Sequence, residues 1–504
     1  MRLRLHPWLR YAALVAMVAA FWGSRAALLV SSSSANQNWE EPVFLFSSLE
    51  LQRAGLARVW DYQDDLDHGG SVPLIVLGSL WLQWQEPSVV SLKWLVLLWW
   101  TATVCAYLWV LASLFSWRAA LVGGAMWLGL SPNLARLQIT IVGSHPEGVL
   151  PALCATALLV CASRACATSW FLSFSTALLA AAAAWMSYLL VPWALPVVGA
   201  LIALSPRWPS VSAVTSGVAL GALPWIYQNV CRHPYRWWQW IERAFPSDAA
   251  THPTPHLPAL GMLNHLSEAW GGAALGSATL AALILLALLL AVALLSRLPR
   301  RAVVRSPLAV GVLFAAAVLS TAALVVGRIS PLPNEGYYFA RFFVPLAVLL
   351  LVLAAGGIDV AAQAWGARIH GLAVALALAV SAYQLAPLYG QGAARSDFRE
   401  EWLRGCLVFG VAEYPRAGSA EGACARLRKL DDPTCRERAF NGIGWSVADE
   451  YLRRGTLEPA YRAVACAGEP PLRRAVCGGM RFVFARSPQG AREFPPELAA
   501  TCQP

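Results

Sequence analysis

Between Tyr11 and Gly390 apolar runs follow one another, and the polar breaks between them alternate in kind. One set of breaks is brief and marked by arginine: the Arg2, Arg4, Arg10 end, then Arg118, Arg164, Arg207, Arg297 to Arg305, and Arg368. The other set is longer and holds acidic residues, His, Trp and Pro. Positive-inside bias places the arginine-marked set in the cytoplasm. The polar chemistry then belongs to the extracytoplasmic loops. The pattern predicts an all-α polytopic transmembrane helix bundle whose working face looks outward.

About eleven spans are expected, each near the roughly twenty residues a helix needs to cross hydrocarbon. They cover 11–30, 89–115, 119–140, 147–163, 169–186, 188–204, 210–230, 272–296, 307–327, 342–364 and 371–389. With the N-terminus inside, an odd number leaves the C-terminus outside. The first run follows a basic start and can be read as a signal peptide cleaved near Ala35. Trp8, Trp22 and Arg25 sit poorly in such a segment and favour a retained span.

The composition agrees, with 58% hydrophobic against 13% charged residues, both far from globular averages. Twenty-four Trp suit a chain with many membrane–water boundaries. A net charge of +10 is spread over many loops without a basic stripe, which argues against a nucleic-acid partner. Lys93 and Lys429 are the only lysines, and with the Ala and Leu richness they suggest a GC-rich bacterial genome. A bacterial inner-membrane location follows from that reading.

Two domains are expected. Residues 1–390 form the transmembrane part, with outer loops at 31–88 and 231–271. The first loop concentrates Glu40, Glu41, Glu50, Asp61, Asp64, Asp65 and Asp67, and ends in an apolar stretch, Val72 to Trp84, suited to a helix lying in the interface. The second carries Trp237, Trp238 and Trp240 with His233, His252, His256 and His265. A short third loop, Arg328 to Arg341, contains Glu335, Tyr337 and Tyr338. Residues 391–504 form a small soluble helical domain outside the membrane.

In that tail Cys424 and Cys435 are followed by Cys466 and Cys477 at the same spacing, and each first Cys stands in Ala-Cys-Ala. The repeat suggests helical hairpins that stack on one another. An oxidising compartment favours disulfides within each pair, with Cys406 and Cys502 as a third. Zinc and buried free thiols are the competing uses; metal clusters favour closer spacing, and the tail has no His.

Three groups of residues point to chemistry. Glu40 and Glu41 stand close to the end of the first span, where carboxylates are costly unless they serve something. One of them could act as general base on an acceptor hydroxyl; holding a divalent cation through hard oxygen ligands is the other use. In Gly143-Ser144-His145-Pro146-Glu147, a His and a carboxylate two apart could hold a metal or orient a substrate, and Glu147 could instead cap the next helix. Arg341 enters an apolar helix within Tyr337-Tyr338-Phe339-Ala340-Arg341-Phe342-Phe343-Val344-Pro345; bidentate phosphate recognition and snorkelling to lipid headgroups are its two readings.

In order along the chain, these features resemble the GT-C superfamily of integral-membrane glycosyltransferases, and most nearly the bacterial relatives of protein mannosyltransferases. The matching positions are Glu40-Glu41, then His68 through Pro73-Leu74 as the counterpart of a His-Pro-Pro-Leu segment. Ser131-Pro132, His145 with Glu147, then Gly221, Pro224, Trp225, Tyr227 and Asn229 follow, and Arg341 to Pro345 closes the series. Where the family commonly has Asp and Tyr, this chain has Glu at 40 and 41 and Phe342, and Gly69, Gly70 and Ser71 interrupt the His-Pro-Pro-Leu element. The resemblance covers about residues 1–390. It implies sugar transfer from a polyprenyl-phosphate-linked donor to a glycan, lipid or protein acceptor on the outer face. Glu41 or Glu40 would be the catalytic base, Arg341 would stabilise phosphate, and His145, Glu147, Asp67, His68 and Tyr338 would contact substrate, with base and guanidinium lining one cavity. A divalent cation is compatible with this scheme but not required. A non-catalytic scaffold of the same fold, or a lipid or glycan transporter whose tail recruits partners, is the alternative.

Overall fold

The structure, a computed structural model, describes residues 7–32, 40–56, 59, 71–142, 146–164, 169–204, 208–227, 273–295, 306–326, 336–386, 398–417, 419–486 and 494–502. Among the described residues every regular element is helical. In chain order they are α1 (Pro7–Ser32), α2 (Glu41–Ala54), α3 (Val72–Trp81), α4 (Val89–Leu114), α5 (Trp117–Leu128), α6 (Pro132–Leu137), α7 (Val149–Arg164), α8 (Trp170–Met186), α9 (Val191–Leu204) and α10 (Trp208–Ile226). Then come α11 (Ala273–Leu295), α12 (Pro307–Val326), α13 (Val344–Trp365), α14 (Arg368–Leu385), α15 (Phe398–Ala417), α16 (Ala420–Leu427), α17 (Pro433–Arg454), α18 (Glu458–Ala467), α19 (Pro470–Arg486) and α20 (Pro496–Thr501).

Among the described residues, five segments are long and apolar enough to cross a membrane: Trp8–Ser31, Val89–Leu114, Trp208–Ile226, Pro307–Leu324 and Ala340–Trp365. This is a multi-pass helical membrane protein. Of the other expected spans, all but 119–140 coincide with shorter apolar helices, among them α7, α8 and α9. The expected span 119–140 is not one helix. It breaks after Leu128, because Ser131 accepts from the Leu134 amide and Pro132 opens a new helix, α6. The apolar stretch after the first loop does form a helix, α3; at about 15 Å it is too short to cross roughly 30 Å of hydrocarbon.

Contacts divide the chain into two compact units. One comprises Met1–Asn36, His68–Gly70 and Lys93–Ala394; the other comprises Gln37–Asp67, Ser71–Leu92 and Arg395–Pro504.

In the first unit α13 is the central element. Apart from Asp359 it is apolar from Val344 through Ala362 and buried over that length, as a helix without a polar face must be. Gly357 lets α11 come close, since a Cβ there would strike the Leu286 carbonyl. The outer helices turn Tyr11, Val15, Leu285, Val318, Leu372 and Leu376 outward. So much exposed apolar surface suits lipid and would be a liability in water. Among the described residues, contacts tie several of the arginine-marked breaks to their neighbours, while Arg207 and Arg297 to Arg305 lie outside the described residues. Arg10 lies over the Trp117 ring at 5.9 Å, the Arg164 guanidinium donates to the Ser113 carbonyl, and the Ser163 and Ser306 hydroxyls are 2.7 Å apart.

In the second unit the tail helices form two layers, with α15, α17 and α19 side by side in one and α16 packed on α18 in the other. The hairpins α16–α17 and α18–α19 are the two copies of the Cys repeat. Reciprocal glycines bring the first layer together: a Cβ at Gly410 would strike the Ala439 carbonyl, and one at Gly442 the Leu407 carbonyl. Gly444 and Gly479 do the same between α17 and α19. The disulfides are Cys406–Cys435, Cys424–Cys466 and Cys477–Cys502. Pairing within each copy, Cys424 with Cys435 and Cys466 with Cys477, is therefore wrong. Equivalent positions of stacked hairpins lie side by side, so Cys424 meets Cys466, while the partners on α17 and α19 reach helices outside their own hairpin. With all six tail cysteines paired, none is a thiolate for zinc.

Candidate functional site

In the second unit, Glu40 and Glu41 open α2, with Glu40 at its N-cap and Pro42 in the first helical positions. Carboxylates are favoured there by the partial positive charge of the helix N-terminus. Glu41 is fully buried, Glu40 half-buried, and both are engaged by neighbouring groups. At the other end of α2, Arg53 pairs with Glu50 at 2.9 Å and lies over the Trp402 ring of α15 at 5.3 Å. The Trp402 indole donates to Asp432 at 3.2 Å, and Asp432 caps α17 by accepting from the amides of Thr434 and Cys435. Burial works to raise the Asp432 pKa. Hydrogen bonds from Cys435, Trp402 and Thr434, with the Arg53 charge, outweigh it and hold the carboxyl below the ordinary aspartate range.

In the first unit, polar groups collect where α5 breaks into α6. Arg25 of α1 is fully buried; its Nε donates to Gln138 Oε1 at 2.6 Å and its Nη2 to the Leu128 carbonyl at 3.4 Å. That carbonyl belongs to the last turn of α5, where helical acceptors lack their usual donors. Beyond α6, the Val142 amide donates to Glu147 Oε1 at 3.2 Å, and Trp99 donates to the Glu147 carbonyl at 3.0 Å. Glu147 is fully buried and ties the segment back to α4. A 3-10 helix, Gly336–Phe343, packs against α6 and leads into α13. It carries Arg341, half-buried with its guanidinium 4.7 Å from the Phe342 ring centroid, and its backbone includes Tyr338. Lys93, also fully buried, stands near the start of α4. Arg341, Glu147, Arg25 and Lys93 are all engaged by neighbours.

Among the expected site residues, Glu40 and Glu41 are adjacent in the second unit; in the first, Arg341 lies on the 3-10 helix packed against α6, and Glu147 is buried against Val142 and Trp99. Asp67, His68 and His145 lie outside the described residues, as do Glu335, Asn229 and the loop 231–271. No three His, Cys, Asp or Glu side chains gather as metal ligands among the described residues. Several motif positions turn out to be helix punctuation. Ser131 and Pro132 are a cap and a first helical residue, Pro345 opens α13, and Pro73 opens α3. Gly221 is a packing residue, since a Cβ there would strike the Leu178 carbonyl of α8.

No family model and no curated protein matches the chain. A solved structure, ArnT from Cupriavidus metallidurans in the apo state, aligns over 94% of this chain and 74% of its own, at 13% identity and a TM-score of 0.41. That score and identity assign neither family nor chemistry.

Sequence reasoning missed several buried polar residues. Asp359, inside α13, accepts from Ser116 at 2.7 Å and meets His370 Nε2 at 2.8 Å, binding the α13–α14 turn to the α4–α5 turn. The signal was available: ionisable residues within apolar spans have partners. Lys93, one of two lysines in the chain, and Arg25 carried the same signal.

Proposed function

We propose that this chain is an integral-membrane glycosyltransferase of the GT-C type, moving a sugar from a polyprenyl-phosphate-type donor to an acceptor on the extracytoplasmic face of a bacterial inner membrane. The observation that carries the reading is the polar layer around α6. Arg25 bound to Gln138 at the end of α6 and the Arg341 segment packed on α6 are gathered inside helices that are otherwise apolar, with Glu147 buried a little further along the chain, and such groups in a membrane protein mark the handling of a polar or charged substrate. In this reading the acceptor hydroxyl gives its proton to Glu41, or to Glu40 beside it, as its oxygen attacks the anomeric carbon. The bond from sugar to phosphate breaks, and Arg341 stabilises the charge left on the lipid phosphate. His145 and Glu147 orient the substrate, and Asp67, His68 and Tyr338 contact it.

Mass spectrometry of lipid co-purifying with the protein tests class and donor together. A polyprenyl-phosphate-linked sugar is the expected finding; ordinary phospholipid alone, together with no transfer from added donor, would reject the reading. Sidedness is tested separately. Alkaline phosphatase fused after Gln391 should be active and after Arg300 inactive, because the arginine-marked breaks are retained inside. The reverse pattern would turn the working face to the cytoplasm.

A further inference from the structure

Tail helix α15 is joined to α2 by contacts along the whole of α2. Near the carboxylates, Gly405 faces the Pro42 carbonyl so closely that an alanine Cβ would collide with it. One turn further on, the Phe46 ring is clasped between Trp402, at 5.1 Å, and Phe409, at 4.7 Å. At the far end Arg53 covers Trp402, whose indole is bound in turn to the Asp432 cap of α17. Cys406, next to Gly405, is bridged to Cys435, three residues beyond that same cap. The disulfide therefore fixes α15 against the start of α17 beside the face that receives α2.

We propose that the tail is the seat of the carboxylate helix: α15, locked by the Cys406–Cys435 bridge, sets where Glu41 stands. Gly405, Trp402 and Phe409 are positioning residues that act through α2, and the effect on transfer rests on the proposed role of Glu41. Seating alone does not depend on that role. A seat of this kind makes the tail necessary for turnover, whereas a separate acceptor-binding module would leave α2 unaffected by changes in the tail.

The test uses full-length protein in lipid nanodiscs. Amide hydrogen exchange of residues 41–54 is compared in the parent, in Gly405→Ala, in the double variant Cys406→Ser/Cys435→Ser, and in Cys424→Ser/Cys466→Ser as control. Gly405→Ala and the first double variant should speed exchange in α2 by about tenfold or more, because a helix released from its partner opens locally. The control, which cuts a bridge between α16 and α18, should leave α2 at the parent rate. With a polyprenyl-phosphate-linked sugar as donor, the same two variants should lower kcat by about 10²-fold with donor KM unchanged, the pattern of a misplaced reacting group. Parent-like exchange in both variants, or equal loosening in the control, overturns the seat. Loosened α2 with unaltered kcat overturns its setting of Glu41. If the parent itself moves no sugar, the proposed function falls, and the exchange comparison still decides the seat.

Discussion

Glu41→Gln is expected to abolish most sugar transfer, by about 10²–10⁴-fold, while leaving lipid-donor binding near the parent level. The substitution preserves the shape of a fully buried side chain and removes its capacity to accept a proton. Loss of kcat with intact donor binding would separate a missing base from a collapsed site. Glu40→Gln is the companion measurement, since the two carboxylates are adjacent and only one can serve the acceptor hydroxyl. Arg341→Ala should weaken donor binding as well as turnover, because a guanidinium meets phosphate through charge-assisted bonds in donor and departing lipid alike. If both Glu variants keep full activity, the base lies elsewhere in the acidic loop, with Asp64, Asp65 and Asp67 next to be replaced.

Reduction of the tail should produce the second large effect. The three bridges span 29, 42 and 25 residues. By loop-closure entropy each contributes about 3–4 kcal/mol, chiefly by restricting the unfolded chain. Losing all three would remove an amount comparable with the whole stability of an ordinary domain, about 5–15 kcal/mol. A reductant should therefore lower the melting temperature of the tail steeply, while helices of the first unit keep their far-ultraviolet signal. Non-reducing peptide maps should show Cys406 with Cys435, Cys424 with Cys466 and Cys477 with Cys502. Recovery of Cys424 joined to Cys435 would contradict the stacked arrangement of the hairpins.

Much of the fold was legible in the chain because each signal is local. A run of apolar residues forms a helix wherever water is absent, and its ends are marked by residues acting on their own backbone. Ser131 and Pro132, Ser169, Asp432 and Gly455 all stop or start helices within a few positions of themselves. The arginine alternation belongs to the same class, and the described Arg10 and Arg164 both contact the segment that joins α4 to α5. What one-dimensional pattern could not carry was partnership. The recurring Cys spacing declared a repeat, yet stacking decided which thiols met, because neighbours in a solenoid are one repeat apart. Arg25 looked merely out of place until the break between α5 and α6 supplied a carbonyl and Gln138 to receive it. The attachment of α2 to α15, across more than three hundred intervening residues of sequence, had no local signature. It arises from one glycine, a few rings and a disulfide whose complementarity exists only once both helices are formed.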